Sequence, residues 1–403
     1  MQNLSLEKAI DVLKRASQPV RAVVEVELLQ ALGLVLAEDY AAAADNPPFD
    51  RSSLDGYAFR AESTAGATAD RPAVFTIVGE ACAGTFYAEP VPKGAAIRIM
   101  TGSAIPKGCN CVVRQEDVTV QGDTLRVPYS LAPYSNYCFA GEDVQKGTLL
   151  AQKGTKLTAA HIGVLASQGY DKVKVWRPVR VALASTGDEL TAPGQPLAPG
   201  QIYDSNLYLL AARLQELGFV PEILGSLPDD VRAAAEVIAG CRDKVDIILT
   251  TGGVSVGKKD IMPAVADKVG ERLFWRLAMK PGSPALGYKM GSTLGLALSG
   301  NPFAAYATFE LLAVPLLAYL SGNTQILPRH TAAVLTDAFP KQSKGRRFIR
   351  AYHEQGKVRL PEQHSSGSLF SAVGCNAFVE IPPGTGPLQP ETEVEIVCLY
   401  RKV

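Results

Sequence analysis

The sequence lacks the features of a nucleic-acid-binding or membrane protein. Its 403 residues carry 40 Lys and Arg against 40 Asp and Glu. A formal net charge of zero removes any bulk attraction to nucleic acid or to an anionic membrane, although local basic clusters could still bind small anions. The longest nearly apolar run, Leu311–Leu320, is too short to span a bilayer and is interrupted by Pro315. The first residues lack the layout of a signal peptide. We therefore expect a globular protein with no nucleic-acid and no membrane partner.

Cysteine is also scarce. The seven cysteines are an odd number and widely scattered, which fits a reducing cytosol better than a disulfide framework and predicts a cytoplasmic protein. Cys109 and Cys111 form a C-x-C pair, but no Cys or His follows at zinc spacing. Ordinary thiols are favoured over a metal site there.

Strands alternate with helices between Val179 and Gly322. This order indicates right-handed crossovers and a doubly wound, mostly parallel sheet covered on both faces. The pattern predicts strands Val179–Thr186, Val220–Gly225, Val245–Thr250, Leu273–Met279, Ala285–Tyr288 and Thr293–Leu298, and helices Ser205–Leu217, Asp229–Cys241, Asp260–Val269 and Pro302–Leu320.

The regions on either side have a different pattern, so the length is best explained by several domains. Residues 51–139 carry turn-rich β signals, and helices near Leu6–Ala16 and Thr158–Ser167 bracket them. The C-terminal residues alternate in short runs broken by Gly and Pro, which is typical of a small β-barrel or sandwich. We expect a multidomain α/β protein with a linking domain (1–50 and 140–178), a β-rich domain (51–139), a central α/β domain (179–326) and a C-terminal β-barrel (327–403).

Ligands of open parallel sheets bind outside the carboxyl ends of the strands. Five loops leave those ends in the predicted α/β domain, and all are rich in Gly, Pro, Ser or acidic residues. They are STGDEL (185–190), LPDD (227–230), TTGGVSVGKKD (250–260), KPGSP (280–284) and LSGNP (298–302).

The loop TTGGVSVGKKD has neither Walker nor G-x-G-x-x-G spacing, which disfavours a nicotinamide dehydrogenase. Gly252 and Gly253 would let backbone N–H groups approach an anion, with help from the following helix and the Ser255 hydroxyl. Nearby carboxylates would repel a phosphate unless a divalent cation intervened, so Mg²⁺ is implied. Asp260 is then expected either to bind the metal ion or to act as a general acid or base.

Structural explanations compete with these functional ones. The Gly252–Gly253 pair could be simple turn chemistry, and Asp229 could only cap the next helix. Asp204 is favoured as a cap over a ligand contact. Asp55 and Gly56, in PPFDRSSLDGYA, could form a tight turn.

Taken in order, the motifs resemble the MoeA family of molybdopterin molybdenumtransferases, related to the C-terminal region of gephyrin. The resemblance covers essentially the whole chain. It rests on DRSSLDGYA, RIMTGSAIP, GEDV, STGDEL, YDSN, TTGGVSVGKKD, KPGSP and SGNP.

The resemblance implies Mg²⁺-dependent insertion of molybdate into adenylylated molybdopterin with release of AMP. It also implies a homodimer, with possible contacts to the molybdopterin adenylyltransferase and to apo-molybdoenzymes. The homodimer would pair the α/β domain of one subunit with the Asp55-bearing region of the other. Two alternatives are a gephyrin-like scaffold without enzymatic activity and a molybdopterin adenylyltransferase, which would not need the flanking β regions.

The expected site residues follow from the motifs and the resemblance together. Lys280 and Pro281, Arg350 and Ser368 are candidates for holding the molybdate oxyanion, and Asp229 and Asp260 for binding the metal. The catalytic candidates are Asp55, Asp143, Glu189, Asp229, Asp260, Arg276 and Lys280; the binding candidates are Thr101, Gly252, Gly253, Ser255, Gly257, Pro281, Gly300, Asn301, Arg350 and Ser368.

Three positions depart from the family pattern. Arg276 stands where a lysine is common, which keeps the charge but changes the hydrogen-bond geometry. Ser299 replaces a proline and Ala304 a serine. These changes bear on anion affinity and on the choice between molybdate and tungstate.

Overall fold

The computed structural model describes residues 1–255, 257 and 260–399. The chain divides into two compact units. The first contains residues 1–24, 33–35 and 176–403, and the second contains residues 25–32 and 36–175. Each unit is described separately below.

A seven-stranded sheet organises the first unit. Four neighbouring strands run parallel, and one strand, Leu286–Met290, is antiparallel to both of its neighbours. Gln2–Leu4 pairs in parallel with the outer strand at Trp275 and Leu277. The strands lie in the order Gln2–Leu4, Glu271–Leu277, Leu286–Met290, Thr293–Leu298, Ile247–Thr251, Val181–Thr186 and Glu222–Leu227.

Helices cover both faces of this sheet, and local capping fixes where several of them begin. The Ser5 hydroxyl accepts from Lys8 N at 3.3 Å, and Asp204 accepts from Leu207 N at 3.1 Å. Asp230, rather than Asp229, caps the alanine-rich helix by accepting from Ala233 N at 2.8 Å. The helices are Leu6–Ala16, Ser205–Glu216, Val231–Ala239, Met262–Val269 and Pro302–Ser321.

The helix Pro302–Ser321 is long and apolar enough to cross a membrane on length and composition alone. However, 89% of its apolar window is buried inside the protein, which is the pattern of a core helix. Residues Phe309–Ala313 within it are π-helical. One short parallel pair, Leu190–Thr191 with Ile202–Tyr203, and a 3₁₀ turn at Thr324–Ile326 complete this region.

The C-terminal residues of the first unit form a closed five-stranded barrel, as predicted. Its core contains Phe339, Ile349, Val379 and Ile396, all at most 3% exposed. A 3₁₀ turn, Phe370–Ala372, lies in one of its loops. In order around the barrel the strands are Arg329–Leu335, Lys357–Arg359, Arg347–Glu354, Ala377–Ile381 and Glu393–Cys398.

The second unit is β-rich and is built on a six-stranded sheet with apolar clusters on both faces. Its helix is Ala159–Ser167, and its 3₁₀ turns are Leu28–Ala31, Ala61–Thr64 and Gln115–Asp117. In order, the sheet strands are Cys111–Arg114, Gly56–Phe59, Ala95–Ile99, Ala73–Ala81, Thr124–Val127 and Thr119–Gln121; short strands occur at Tyr40–Ala41, Arg51–Ser52, Tyr137–Cys138 and Leu149–Ala151. Two more short strands, Val23–Glu27 and Lys172–Trp176, extend over chain positions where the two units divide. The two units together confirm the predicted fold class.

Candidate functional site

A cavity of about 810 Å³ opens at the carboxyl edge of the four parallel strands. All five loops expected at this edge contribute to its lining. Of the predicted site residues, it is lined by Glu189, Asp229, Gly252, Gly253, Ser255, Gly257, Asp260, Gly300 and Asn301. Val256, Lys258 and Lys259 of the glycine-rich loop lie outside the described residues.

Backbone geometry explains the glycines of this loop. Gly252 has a φ of +90° and Gly253 a φ of +61°, a region that favours glycine. A Cβ at Gly252 would lie 2.5 Å from the Thr186 carbonyl oxygen. A Cβ at Gly300 would approach the Cα of Gly252 to 3.4 Å. These loops therefore touch backbone to backbone where the strands end.

The carboxylate of Asp260 accepts backbone N–H groups of the glycine-rich loop that it ends. Its Oδ1 accepts from Ser255 N at 2.9 Å, and its Oδ2 accepts from Gly257 N at 2.5 Å. The N–H of Gly252 is also committed, to the Leu298 carbonyl at 3.0 Å. Asp260 thus holds the loop closed while still lining the cavity. Each carboxylate oxygen keeps further acceptor capacity for a cation.

Asp188 and Asp229, on neighbouring loops, are joined by two hydrogen bonds, each from the backbone N–H of one residue to the carboxylate of the other. Asp188 Oδ1 accepts from Asp229 N at 3.1 Å, and Asp229 Oδ2 accepts from Asp188 N at 3.5 Å. These bonds fix the two loops that follow adjacent strands. No group of three or more His, Cys, Asp or Glu suited to a metal ion occurs among residues 1–255, 257 and 260–399. Two cavity carboxylates, completed by substrate oxygens and water, are nevertheless a usual arrangement for Mg²⁺.

Asp204 has both a structural and a cavity-lining position. It caps a helix, as favoured from the sequence, and it also accepts from the Ser185 hydroxyl at 2.5 Å. Asn206, the second residue of that helix, lines the cavity and donates to the Gly300 carbonyl at 2.8 Å. Sequence reasoning did not select Asn206, although the YDSN motif contains it.

The predicted oxyanion residues lie where the α/β domain meets the barrel within the first unit. Lys280 N donates to the Arg346 carbonyl at 2.9 Å, and Phe348 N donates to the Lys280 carbonyl at 2.8 Å. Arg276 and Lys280 are both exposed, and Arg276 has a φ of +75°. Such a φ is costly for a residue with a side chain and is often found at functional sites.

Arg350 is completely buried, which its sequence position did not indicate. Its guanidinium lies 3.5 Å from the ring centroid of Phe303 and donates to the Ser365 and Ser368 carbonyls. It also donates to the Ser371 hydroxyl at 2.6 Å, a residue missed from the sequence. Burial lowers the pKa of Arg350 to about 10. Arg350 therefore organises the serine-rich loop from inside.

The remaining predicted residues lie in the second unit. Asp55 Oδ1 accepts from both the N–H and the hydroxyl of Thr101, each at 2.7 Å, and these bonds hold the pKa of Asp55 below its ordinary value. Gly56 begins a strand; a Cβ there would clash with the Val113 carbonyl, so a tight hairpin turn is not the reason for this glycine. Asp143 accepts from Asn46 Nδ2 at 2.9 Å.

Comparisons with known proteins agree with this architecture. Three family models match: the MoeA N-terminal region (domain I and II) at residues 4–169, a probable molybdopterin binding domain at 182–319, and the MoeA C-terminal region (domain IV) at 332–399. Two solved structures of a molybdopterin biosynthesis MoeA protein from Pyrococcus horikoshii superpose with TM-scores of 0.83 and 0.79 at 31% and 32% identity. They cover 99% and 98% of this chain and 100% of their own chains.

Curated relatives are similar over nearly the full length. The molybdopterin molybdenumtransferase of Haemophilus influenzae is 35% identical over 92% of this chain and 92% of its own. That of Bacillus subtilis is 36% identical over 94% of this chain and 90% of its own. The chain therefore belongs to the molybdopterin molybdenumtransferase family, the transferases of molybdenum cofactor biosynthesis.

Proposed function

We propose that this protein inserts molybdate into adenylylated molybdopterin and releases AMP in a Mg²⁺-dependent reaction, as a cytoplasmic homodimer. The observation that supports this most is the cavity at the carboxyl edge of the sheet. Its volume suits a nucleotide-sized ligand. The acidic side chains of Glu189, Asp229 and Asp260 line it together with the glycine-rich loop.

Asp229 and Asp260 would hold Mg²⁺, which when bound neutralises phosphate charge and polarises the phosphoryl oxygens. The contacts of the protein itself then have separate tasks. Asp260 keeps the glycine-rich loop in shape through its two backbone bonds. Asp188 and Asp229 each donate a backbone N–H to the carboxylate of the other, and this pair of hydrogen bonds holds the adjacent loops at a fixed spacing. A rigid, preformed cavity orients the adenylate for loss of AMP.

Lys280, Pro281, Arg350 and Ser368 would position the molybdate, with Arg276 nearby at the end of the strand Glu271–Leu277. Arg276 and Lys280 are both exposed, whereas Leu277 and Met279 between them are buried, so both cations are accessible to an anion. A tetrahedral dianion needs such cations and hydrogen-bond donors. Arg350 contributes by shaping the loop that contains Ser368.

The direct test incubates the full chain with adenylylated molybdopterin, Mg²⁺ and molybdate, and measures AMP and metal-loaded cofactor. Asp229→Asn should lower AMP release strongly. Asp230→Asn is the matched control, because asparagine caps a helix as well as aspartate does and Asp230 caps the adjacent helix. AMP attachment instead of release would support the adenylyltransferase alternative. Absence of both reactions would favour a scaffold.

A further inference from the structure

A group of basic side chains on the barrel is not explained by the contacts described so far. Arg347 is partly buried, and its guanidinium lies 5.6 Å from the ring centroid of Phe339. The imidazole of His364 approaches the same ring edge-on, with the ring centroids 5.7 Å apart. Lys341 follows Phe339 by two residues. These three residues and Lys280 are called the barrel basic cluster below.

The backbone brings Lys280 to this cluster. Lys280 forms an isolated parallel bridge with Arg347, supported by hydrogen bonds on both sides of it. Paired residues of a ladder project their side chains from the same face, so the backbone places Lys280 and Arg347 on one face. Arg350 lies behind, and it donates to the carbonyl of Ser365, the residue that follows His364.

The charge of this cluster is not neutralised by the chain. Arg346, which precedes Arg347 and points to the other face, pairs with both Glu7 and Glu380. Over residues 1–255, 257 and 260–399, by contrast, neither Arg347 nor Lys280 forms an ion pair, and Arg347 Nε is buried without a hydrogen-bond partner. Lys280 and Lys341 are exposed, whereas the buried Nε–H donor of Arg347 is costly to leave unpaired unless a ligand satisfies it.

The positive charges of the cluster affect the protonation of the His364 imidazole. Its Nδ1 is buried and has no partner within the described part of the chain. Burial lowers the pKa of His364, and the charges of Arg350, Lys341 and Arg347 lower it further. No carboxylate contributes to this shift. The imidazole is therefore harder to protonate than an ordinary histidine side chain while the cluster holds no anion.

We propose that the barrel basic cluster binds a tetrahedral oxyanion together with one proton, which His364 takes up as the anion arrives. This rests on the proposed function in one respect, namely that Lys280 faces the molybdate. A dianion placed among the cations cancels the field that disfavours imidazolium and adds an acceptor for its N–H. The pKa of His364 is then higher in the complex than in the free protein. By linkage, oxyanion affinity must be greater at low pH and fall as pH rises through the pKa of the complex.

The experiment titrates molybdate into the full chain by calorimetry at several pH values between about 5 and 8, where histidine titrates. Parallel titrations in buffers of different ionisation enthalpy count the protons taken up. Sulfate serves as a second probe, because it stays a dianion over this range. We expect close to one proton bound per anion, and about a tenfold change in affinity for each unit by which the pKa of His364 is raised.

His364→Gln should remove the proton uptake and flatten the pH dependence, leaving affinity near the value of the wild type at high pH. His330→Gln is the matched control, since His330 is exposed on a strand of the same barrel. Oxyanion binding by the wild type without proton uptake, or His364→Gln with unchanged uptake, would overturn the proposal. AMP release measured separately distinguishes this result from a failure of the proposed function.

Discussion

Replacing Glu310 with glutamine tests how two helices that begin at the cavity are held together. Glu310 lies in the π-helical segment and is completely buried. Arg213, only 5% exposed, donates to it from Nε at 2.5 Å and from Nη2 at 3.3 Å. The same guanidinium also donates to the Leu399 carbonyl at 2.8 Å. One buried cation therefore joins both helices to the end of the barrel.

Arg213 also donates from Nη1 to Glu216 at 2.9 Å, but the Glu216 side chain is 56% exposed. Removing Glu310 therefore leaves the buried guanidinium with a solvent-screened counter-ion, and the cost approaches the roughly 3–5 kcal/mol of a broken buried pair. Glu310→Gln and Arg213→Met should each lower the free energy of unfolding by roughly this amount. The double variant Arg213→Met/Glu310→Met removes both charges together with their desolvation costs. Its loss should therefore be smaller than the sum of the two single losses, by a coupling on the order of 2 kcal/mol or more.

Urea unfolding followed by tryptophan fluorescence measures the free energy of unfolding of the first unit in each variant. The protein has two tryptophans, Trp176 and Trp275, and both belong to the first unit. The control pair is Arg232 and Glu236, which are 3.0 Å apart but 81% and 68% exposed. Their coupling should be below about 0.5 kcal/mol. Equal couplings for the buried and the exposed pair would refute the reasoning.

The remaining predictions concern the site, the assembly and the thiols. Asp260→Asn replaces one acceptor by a donor facing a backbone N–H, so AMP release should fall about 10- to 100-fold; recovery at saturating Mg²⁺ would show that loop closure is not the reason. Lys280→Ala should raise the molybdate concentration needed for half-maximal turnover more than that of the adenylylated substrate, and an unchanged molybdate requirement would contradict this. Mixing Asp55→Ala with Asp260→Ala subunits should restore activity to part of the dimers, whereas an inactive mixture after proven subunit exchange would place each site within one chain. Burial raises the pKa of Cys109 to about 12, so iodoacetamide at neutral pH should label the exposed Cys82 and spare Cys109 until urea is added.

The sequence was informative where one local rule decided the structure. The strand Thr293–Leu298 and the helices Leu6–Ala16 and Pro302–Ser321 were predicted within about one residue, because apolar periodicity and proline fixed them. The strand Glu222–Leu227 was placed two residues too early. Gln2–Leu4 was missed as a strand, since three residues without alternation pair only because the outer strand of the sheet is beside them.

In the site, too, some features could be predicted from local sequence rules and others depended on contacts between distant segments. Its position at the carboxyl edge followed from topology, so Glu189 and Asp229 could be selected before any coordinates. Contacts between distant segments could not be read in this way. Asp260 looked like a free carboxylate but accepts two N–H groups of its own loop. Arg350 was predicted only as a candidate for holding the oxyanion. Its burial against Phe303 could not be foreseen, because only the folded barrel brings the two residues together.

The pairing of Gln2–Leu4 with the strand Glu271–Leu277 also constrains the order of events on the ribosome. At about 5–20 residues per second, the partner strand emerges roughly 10–50 s after the N-terminus. During that interval the apolar face of helix Leu6–Ala16, with Leu6, Ala9 and Leu13, has no completed core to enter. The second unit can fold first, whereas the strand Gln2–Leu4 and the apolar face of helix Leu6–Ala16 stay exposed until their partners are synthesised. We therefore expect nascent chains stalled before residue 271 to expose this helix to chaperones and proteases, and longer ones to protect it.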